Sequence, residues 1–89
     1  MGVTGTREQT SRVAPELVAR VHDVTALPVG VGLGVSDGRQ AGEVASYAEA
    51  VIVGSAFVRA VQDADGDAAA IEAVARLTGD LARGVRGEL

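Results

Sequence analysis

The chain contains no cysteine and no tryptophan, and all of its basic residues are arginine. Without cysteine there is neither a disulfide nor a thiolate metal site. His22 is the only histidine, so a multi-histidine metal centre is excluded too. One Phe and one Tyr in 89 residues exclude a compact aromatic core. The absence of lysine removes the basic patch that an anionic membrane surface attracts. A net charge of -4 with scattered arginines lacks the basic stripe of a nucleic-acid binder. No apolar run approaches the ~20 residues of a membrane span. The polar stretch from Met1 to Arg12 carries no signal-peptide core. These absences lead to the expectation of a cytoplasmic chain with neither a membrane nor a nucleic acid as partner.

What is present is small and apolar. The chain is 47% hydrophobic, mostly Ala and Val, which suits helices layered on a sheet. Residues 1–12 read as a loop in which Gly2 and Gly5 bracket Val3-Thr4. Val13, Leu17 and Val21 recur at helical spacing, with Ala14 and Val18 beside them, and predict a helix over 13–27. Pro15 is expected in its first turn, where a missing N–H costs nothing. Residues 29–35 lack polar alternation and predict a strand buried on both faces of a parallel sheet. Ser36 or Asp37 supplies an N-cap to a helix over 37–48, whose inner positions are Ala41, Val44, Ala45 and Ala48. A second apolar strand over 50–54 leads through Gly54-Ser55 into a short helix, 55–62. A last helix over 68–86 lines up Ile71, Val74, Leu77, Leu81 and Val85. The alternation of helix and strand predicts α/β architecture with right-handed crossovers.

Both strands end at glycine. In a parallel α/β protein these ends share one face, and ligands bind there. Gly32 and Gly34 close the first strand, and Gly54-Ser55 close the second. Without a Cβ, backbone N–H groups approach an anion closely. A following helix N-terminus adds partial positive charge, and Ser55 adds a hydroxyl donor. Each hydrogen bond to a charged group contributes roughly 1.5–3 kcal/mol, so three or four hold a phosphate without lysine. Glycine in a strand also serves close packing; that is the reading for Gly30, and it stands beside the phosphate reading for Gly32 and Gly34. The loop at Gly2–Gly5 reads either as a plain turn or as a lid whose glycines permit closure, with Thr4 pointing into the site.

Other features read as solvated structure. His22, beside Asp23, is placed on the solvent side of its helix. Asp63, Asp65 and Asp67 lack the spacing of a calcium loop. Arg76, Arg83 and Arg86 read as the wet face of the last helix. Ser36 and Ser55 have no histidine placed to activate them.

The chain resembles the C-terminal part of the tryptophan synthase alpha chain family. Gly2-Val3-Thr4-Gly5, followed by Arg7, looks like the family's mobile loop after strand six. Gly32-Leu33-Gly34-Val35-Ser36 looks like its strand-seven end, and Ala50-Val51-Ile52-Val53-Gly54-Ser55-Ala56 like its strand eight and phosphate loop. At Asp37-Gly38-Arg39 the family often has a proline, while Gln40 fits. The resemblance implies the last two strands and covering helices of a TIM (β/α)8 barrel, and a chain that is a segment of a longer one. It implies a lyase that cleaves indole-3-glycerol phosphate to indole and glyceraldehyde 3-phosphate by a retro-aldol reaction. The implied phosphate ligands are Gly5, Gly32, Gly34, Gly54 and Ser55, with Thr4 closing the loop. The family's two catalytic carboxylates lie on earlier strands, so no catalytic residue carries over and the segment alone is expected to be inactive. No cofactor is implied; pyridoxal phosphate belongs to the partner beta chain. Two other readings stand beside this one: a non-catalytic fragment that self-assembles or complements a partner, and a segment of another phosphate-binding barrel.

Overall fold

A computed structural model describes residues 7–32 and 34–89. Helix α1 (Arg7–Val24) is followed by strand β1 (Gly30–Val31), helix α2 (Gly38–Ala45), strand β2 (Ala50–Val51), helix α3 (Ser55–Gln62) and helix α4 (Asp67–Val85). The strands pair in parallel, Gly30 opposite Ala50 and Val31 opposite Val51. The Ala50 and Ile52 N–H groups donate to the Val29 and Val31 carbonyls, at 3.2 and 2.8 Å. The paired segments are thus shorter than the apolar runs from which they come.

The first helix differs from expectation in two ways. It begins at Arg7, inside the segment read as loop. Arg, Glu and Gln are good helix formers, but this stretch carries no apolar period to announce a helix. Pro15 therefore lies inside α1, where its ring supplies no N–H to the preceding turn. The buried seam is also rotated: Ala14 and Val18 are buried, whereas Val13 and Leu17 are more than half exposed.

Side chains alternate across the sheet. Val31 enters the core with Val18, Val35, Ala41, Val44, Ala48 and Leu81, and Val51, Val53 and Phe57 pack against it. The opposite face, carrying Gly30, Gly32, Ala50 and Ile52, is exposed. Helices therefore cover one face of this sheet rather than both, and Ile52 is 61% exposed.

Helices α2 and α4 cross almost backbone to backbone. A Cβ on Gly84 would overlap the Gly38 carbonyl oxygen, and one on Gly42 would lie 2.9 Å from the Gly84 oxygen. The Asp80 carboxylate of α4 accepts the Gly38 N–H at 2.7 Å. On α4, Leu81 is buried while Ile71 is 71% exposed, so the expected apolar stripe is only partly covered. No described helix is long and apolar enough to cross a membrane.

Candidate phosphate-binding site

The parallel register brings the C-terminal ends of β1 and β2 to one edge of the fold. Gly32 and Gly34 follow β1; Gly54 and Ser55 follow β2 and open α3. Thr4 and Gly5 lie outside the described residues. The glycines differ in what they do. Gly34 has φ 67°, a left-handed conformation that side chains adopt at a cost. A Cβ on Gly32 would lie 3.0 Å from both the Cβ and the carbonyl oxygen of Ile52, so close packing accounts for this glycine. A Cβ on Gly54 would meet nothing within 4 Å. The space in front of Gly54 is open.

Two helix N-termini reach this edge, and they are unequal as anion sites. At α2, the Asp37 carboxylate accepts the Gln40 N–H at 2.9 Å, and the Asp80 carboxylate accepts the Gly38 N–H. The Gln40 side-chain oxygen takes the Ser36 N–H at 2.7 Å. The positive end of α2 is thus already met by two carboxylates. At α3 the cap is Gly54, and no side chain caps the helix. The Gly54 carbonyl accepts from the Phe57 and Val58 N–H groups. Those of Ser55 and Ala56 come earlier in the turn than intrahelical bonding reaches. With no side-chain cap at this end, α3 offers backbone N–H groups of the kind that suits a small anion.

The opposite end of the strands is a separate place. Glu49, just before β2, accepts from the Val29 N–H at 2.8 Å and pairs with His22 Nε2 at 2.6 Å. The Val29 amide bond first, and His22 second, hold the Glu49 carboxyl below its ordinary value. His22 is thus engaged with Glu49 rather than merely solvated. Five residues of extended chain separate Glu49 from Gly54, roughly 16 Å, so this pair cannot reach an anion at α3. Among the described residues no group of three or more His, Asp or Glu side chains is placed to hold a metal ion.

Two apolar hollows lie away from Gly54, the cap of α3. One, of about 410 Å³, opens on the helix side of β2 among Val51, Val53, Phe57, Leu81 and Val85. The other, of about 230 Å³, lies between α1 and β1. Neither hollow is lined by Gly54 or Ser55.

The sequence profile of the tryptophan synthase alpha chain matches residues 1–86. The chain belongs to the tryptophan synthase alpha chain family. The tryptophan synthase alpha chain of Acidothermus cellulolyticus is 66% identical over 86 residues, covering 97% of this chain and 32% of the relative. That of Streptomyces avermitilis is 58% identical over 87 residues, covering 98% and 31%. A crystal structure of Mycobacterium tuberculosis tryptophan synthase in space group F222 superposes with a TM-score of 0.75 at 50% identity, covering 97% of this chain and 30% of that one. A ligand-free mutant of that enzyme gives 0.76 at 50% identity, covering 85% of this chain and 28% of that one. The chain spans about a third of the length of the tryptophan synthase alpha chains it matches, and its two parallel strands and helices are a part of their (β/α)8 barrel.

Sequence reasoning missed two contacts, one at the N-terminus of α2 and one at the far end of the strands. Asp80 and Glu49 carry no motif; only folding places Asp80 against Gly38 and Glu49 against Val29. A cap at Ser36 or Asp37 was legible, because such a residue before a helical run is a local signal, and Asp37 is the one that caps.

Proposed function

We propose that this chain is the phosphate-holding segment of a tryptophan synthase alpha-type lyase, acting in tryptophan biosynthesis. The carrying observation is the N-terminus of α3, which has a glycine cap, no side-chain cap and open space in front of it. Ser55 and Ala56 N–H groups and the Ser55 hydroxyl hold the phosphate of indole-3-glycerol phosphate, and later that of glyceraldehyde 3-phosphate. Gly54 keeps the approach clear. Gly32 and Gly34 form the neighbouring wall, Gly5 completes it, and Thr4 closes the loop over it.

The segment positions substrate and does not cleave it. At the strand ends the described carboxylates are Asp37, spent on capping α2, and Asp80, bonded to Gly38. The acid–base pair of the retro-aldol step belongs to the preceding strands of a full-length family member. That larger protein passes indole to a beta chain carrying pyridoxal phosphate; the alpha-type segment itself uses no cofactor.

Titrating the labelled chain with inorganic phosphate tests the cradle. The Gly54, Ser55 and Ala56 amide resonances should move together and saturably, with those of Gly38 and Gln40 unmoved. Stationary Ser55 and Ala56 resonances would remove the reading. Indole release from the purified 89-residue chain should equal the blank; release above it would contradict the assignment of acid–base chemistry to other strands.

A further inference from the structure

The chain carries two Asp-Gly steps, Asp37-Gly38 and Asp65-Gly66, and no asparagine. An aspartyl carboxyl followed by glycine is chemically labile. The main-chain nitrogen of the glycine attacks the carboxyl carbon, and with no Cβ beside it that nitrogen is unshielded. A five-membered ring of side chain and main chain closes, and one water leaves. Water then reopens the ring at either carbonyl. Opening at the main-chain carbonyl leaves an isoaspartyl link, in which the chain runs through the side-chain methylene.

The fold treats the two steps differently. At Asp37 both reacting groups are held. The Gly38 N–H donates to the Asp80 carboxylate at 2.7 Å, and Asp37 Oδ1 accepts the Gln40 N–H at 2.9 Å. Gly38 is itself buried, at the start of α2. To attack, its nitrogen must lose a proton, and the carboxylate beside it opposes the negative charge that results. Ring closure there would also open the cap of α2. At Asp65 these restraints are missing. Asp65 and Gly66 are exposed, in the bend between α3 and α4. Among the described residues nothing bonds the Asp65 carboxylate or the Gly66 N–H. Gly66 has φ 98°, and a Cβ there would meet nothing within 4 Å. The two groups are free to turn towards each other.

We infer that Asp65-Gly66 is a site of spontaneous isoaspartyl formation, and that Asp80 protects Asp37-Gly38 from the same reaction. The step needs no reagent but water. The bond from the Gly66 nitrogen to Asp65 Cγ forms, the bond from Cγ to its hydroxyl breaks, and the nitrogen's proton leaves with that hydroxyl as water. Hydrolysis of the ring returns one water, so the product has the mass and charge of the parent. The new link adds one carbon to the main chain just before Gly66, the cap of α4. The Gly66 carbonyl takes the Ala70 N–H at 3.0 Å, so the extra carbon falls outside the first turn of α4 and the helix need not break. The link also leaves a free main-chain carboxylate, the group that an isoaspartyl-directed carboxyl methyltransferase esterifies.

Ageing the purified chain at neutral pH and mapping it with trypsin tests this. Cleavage after arginine puts the two steps in separate peptides, 21–39 and 60–76. Fragmentation of the main chain locates isoaspartate, and esterification by an isoaspartyl methyltransferase with labelled S-adenosylmethionine counts it. Isoaspartate should build up at Asp65 at least about ten times faster than at Asp37, the factor set by a hydrogen bond to a charged group. In urea, where neither step is held, the two rates should converge. Asp80→Asn keeps an acceptor for the Gly38 N–H but not the charge. It should speed the reaction at Asp37 by more than the unfolded fraction in its own urea melt accounts for, and leave Asp65 unchanged. The inference is overturned if Asp65 stays intact without urea but reacts in it, if the two steps react equally without urea, or if label in peptide 60–76 survives Asp65→Glu. An Asp37 rate in Asp80→Asn that follows the unfolded fraction alone would strip Asp80 of its protecting role.

Discussion

At the scale of single residues, the glycines separate into those that packing requires and those that leave room. Gly84 belongs to the first kind, because α2 and α4 touch there. In Gly84→Ala the new methyl overlaps the Gly38 carbonyl oxygen, and backbone cannot yield as a flexible side chain does. Overpacking of this sort costs roughly 1–3 kcal/mol, and a urea melt should show at least that loss. Gly54 belongs to the second kind. Gly54→Ala puts a methyl into open space and should leave stability within about 0.5 kcal/mol. Gly54→Asp goes further: it brings a carboxylate to the uncapped N-terminus of α3. The macrodipole favours this by about 0.5 kcal/mol, while the same charge repels phosphate. Thermal melts should therefore show unchanged or slightly raised stability, and the phosphate-induced shifts of Ser55 and Ala56 should vanish. A variant that lost stability in parallel would mean that Gly54 serves the fold rather than the site.

At the scale of elements, the ends of the sheet have different chemistry. Glu49 joins the start of β1 to the last turn of α1 through Val29 and His22. Its carboxyl titrates below the ordinary 4.5, so the stability it lends is complete above that value. That stability is lost as pH falls through the lowered value, when the protonated carboxyl gives up its charge-assisted bonds. Glu49→Gln keeps an acceptor for Val29 but not the charge. Its melting curve should lie below that of the parent at neutral pH and converge with it in acid; a constant gap at all pH values would exclude the linkage. His22→Ala should raise the Glu49 titration only partway, because the Val29 amide is the larger cause. None of this was legible beforehand. His22 and Glu49 are 27 positions apart, and Asp80 and Gly38 are 42 apart; contacts at such separations leave no local pattern. The two parallel strands were legible because uninterrupted apolar runs ending in glycine are a local pattern. The start of α1 was not, since Arg7 to Arg12 form a helix without an apolar period to announce it.

At the scale of the whole molecule, the small side chains that the sequence offers decide how firmly the fold stands alone. Among the described residues the buried apolar ones are Ala14, Val18, Val31, Val35, Ala41, Val44, Ala48 and Leu81. Only one of them is larger than valine, and neither Phe57 nor Tyr47 is fully buried. Exposed Val13, Leu17, Ile52, Val58, Ile71 and Val85 take little part in stabilising the isolated chain. Burial contributes roughly 25 cal/mol per Å², so a thin core on a two-stranded sheet leaves little beyond the conformational entropy it must offset. The isolated chain should therefore unfold with less than about 5 kcal/mol, the lower end for ordinary domains. A urea melt followed by circular dichroism measures this. A cooperative transition giving clearly more than that, in a chain that light scattering shows to be monomeric, would mean that the exposed apolar face costs the fold less than its area suggests.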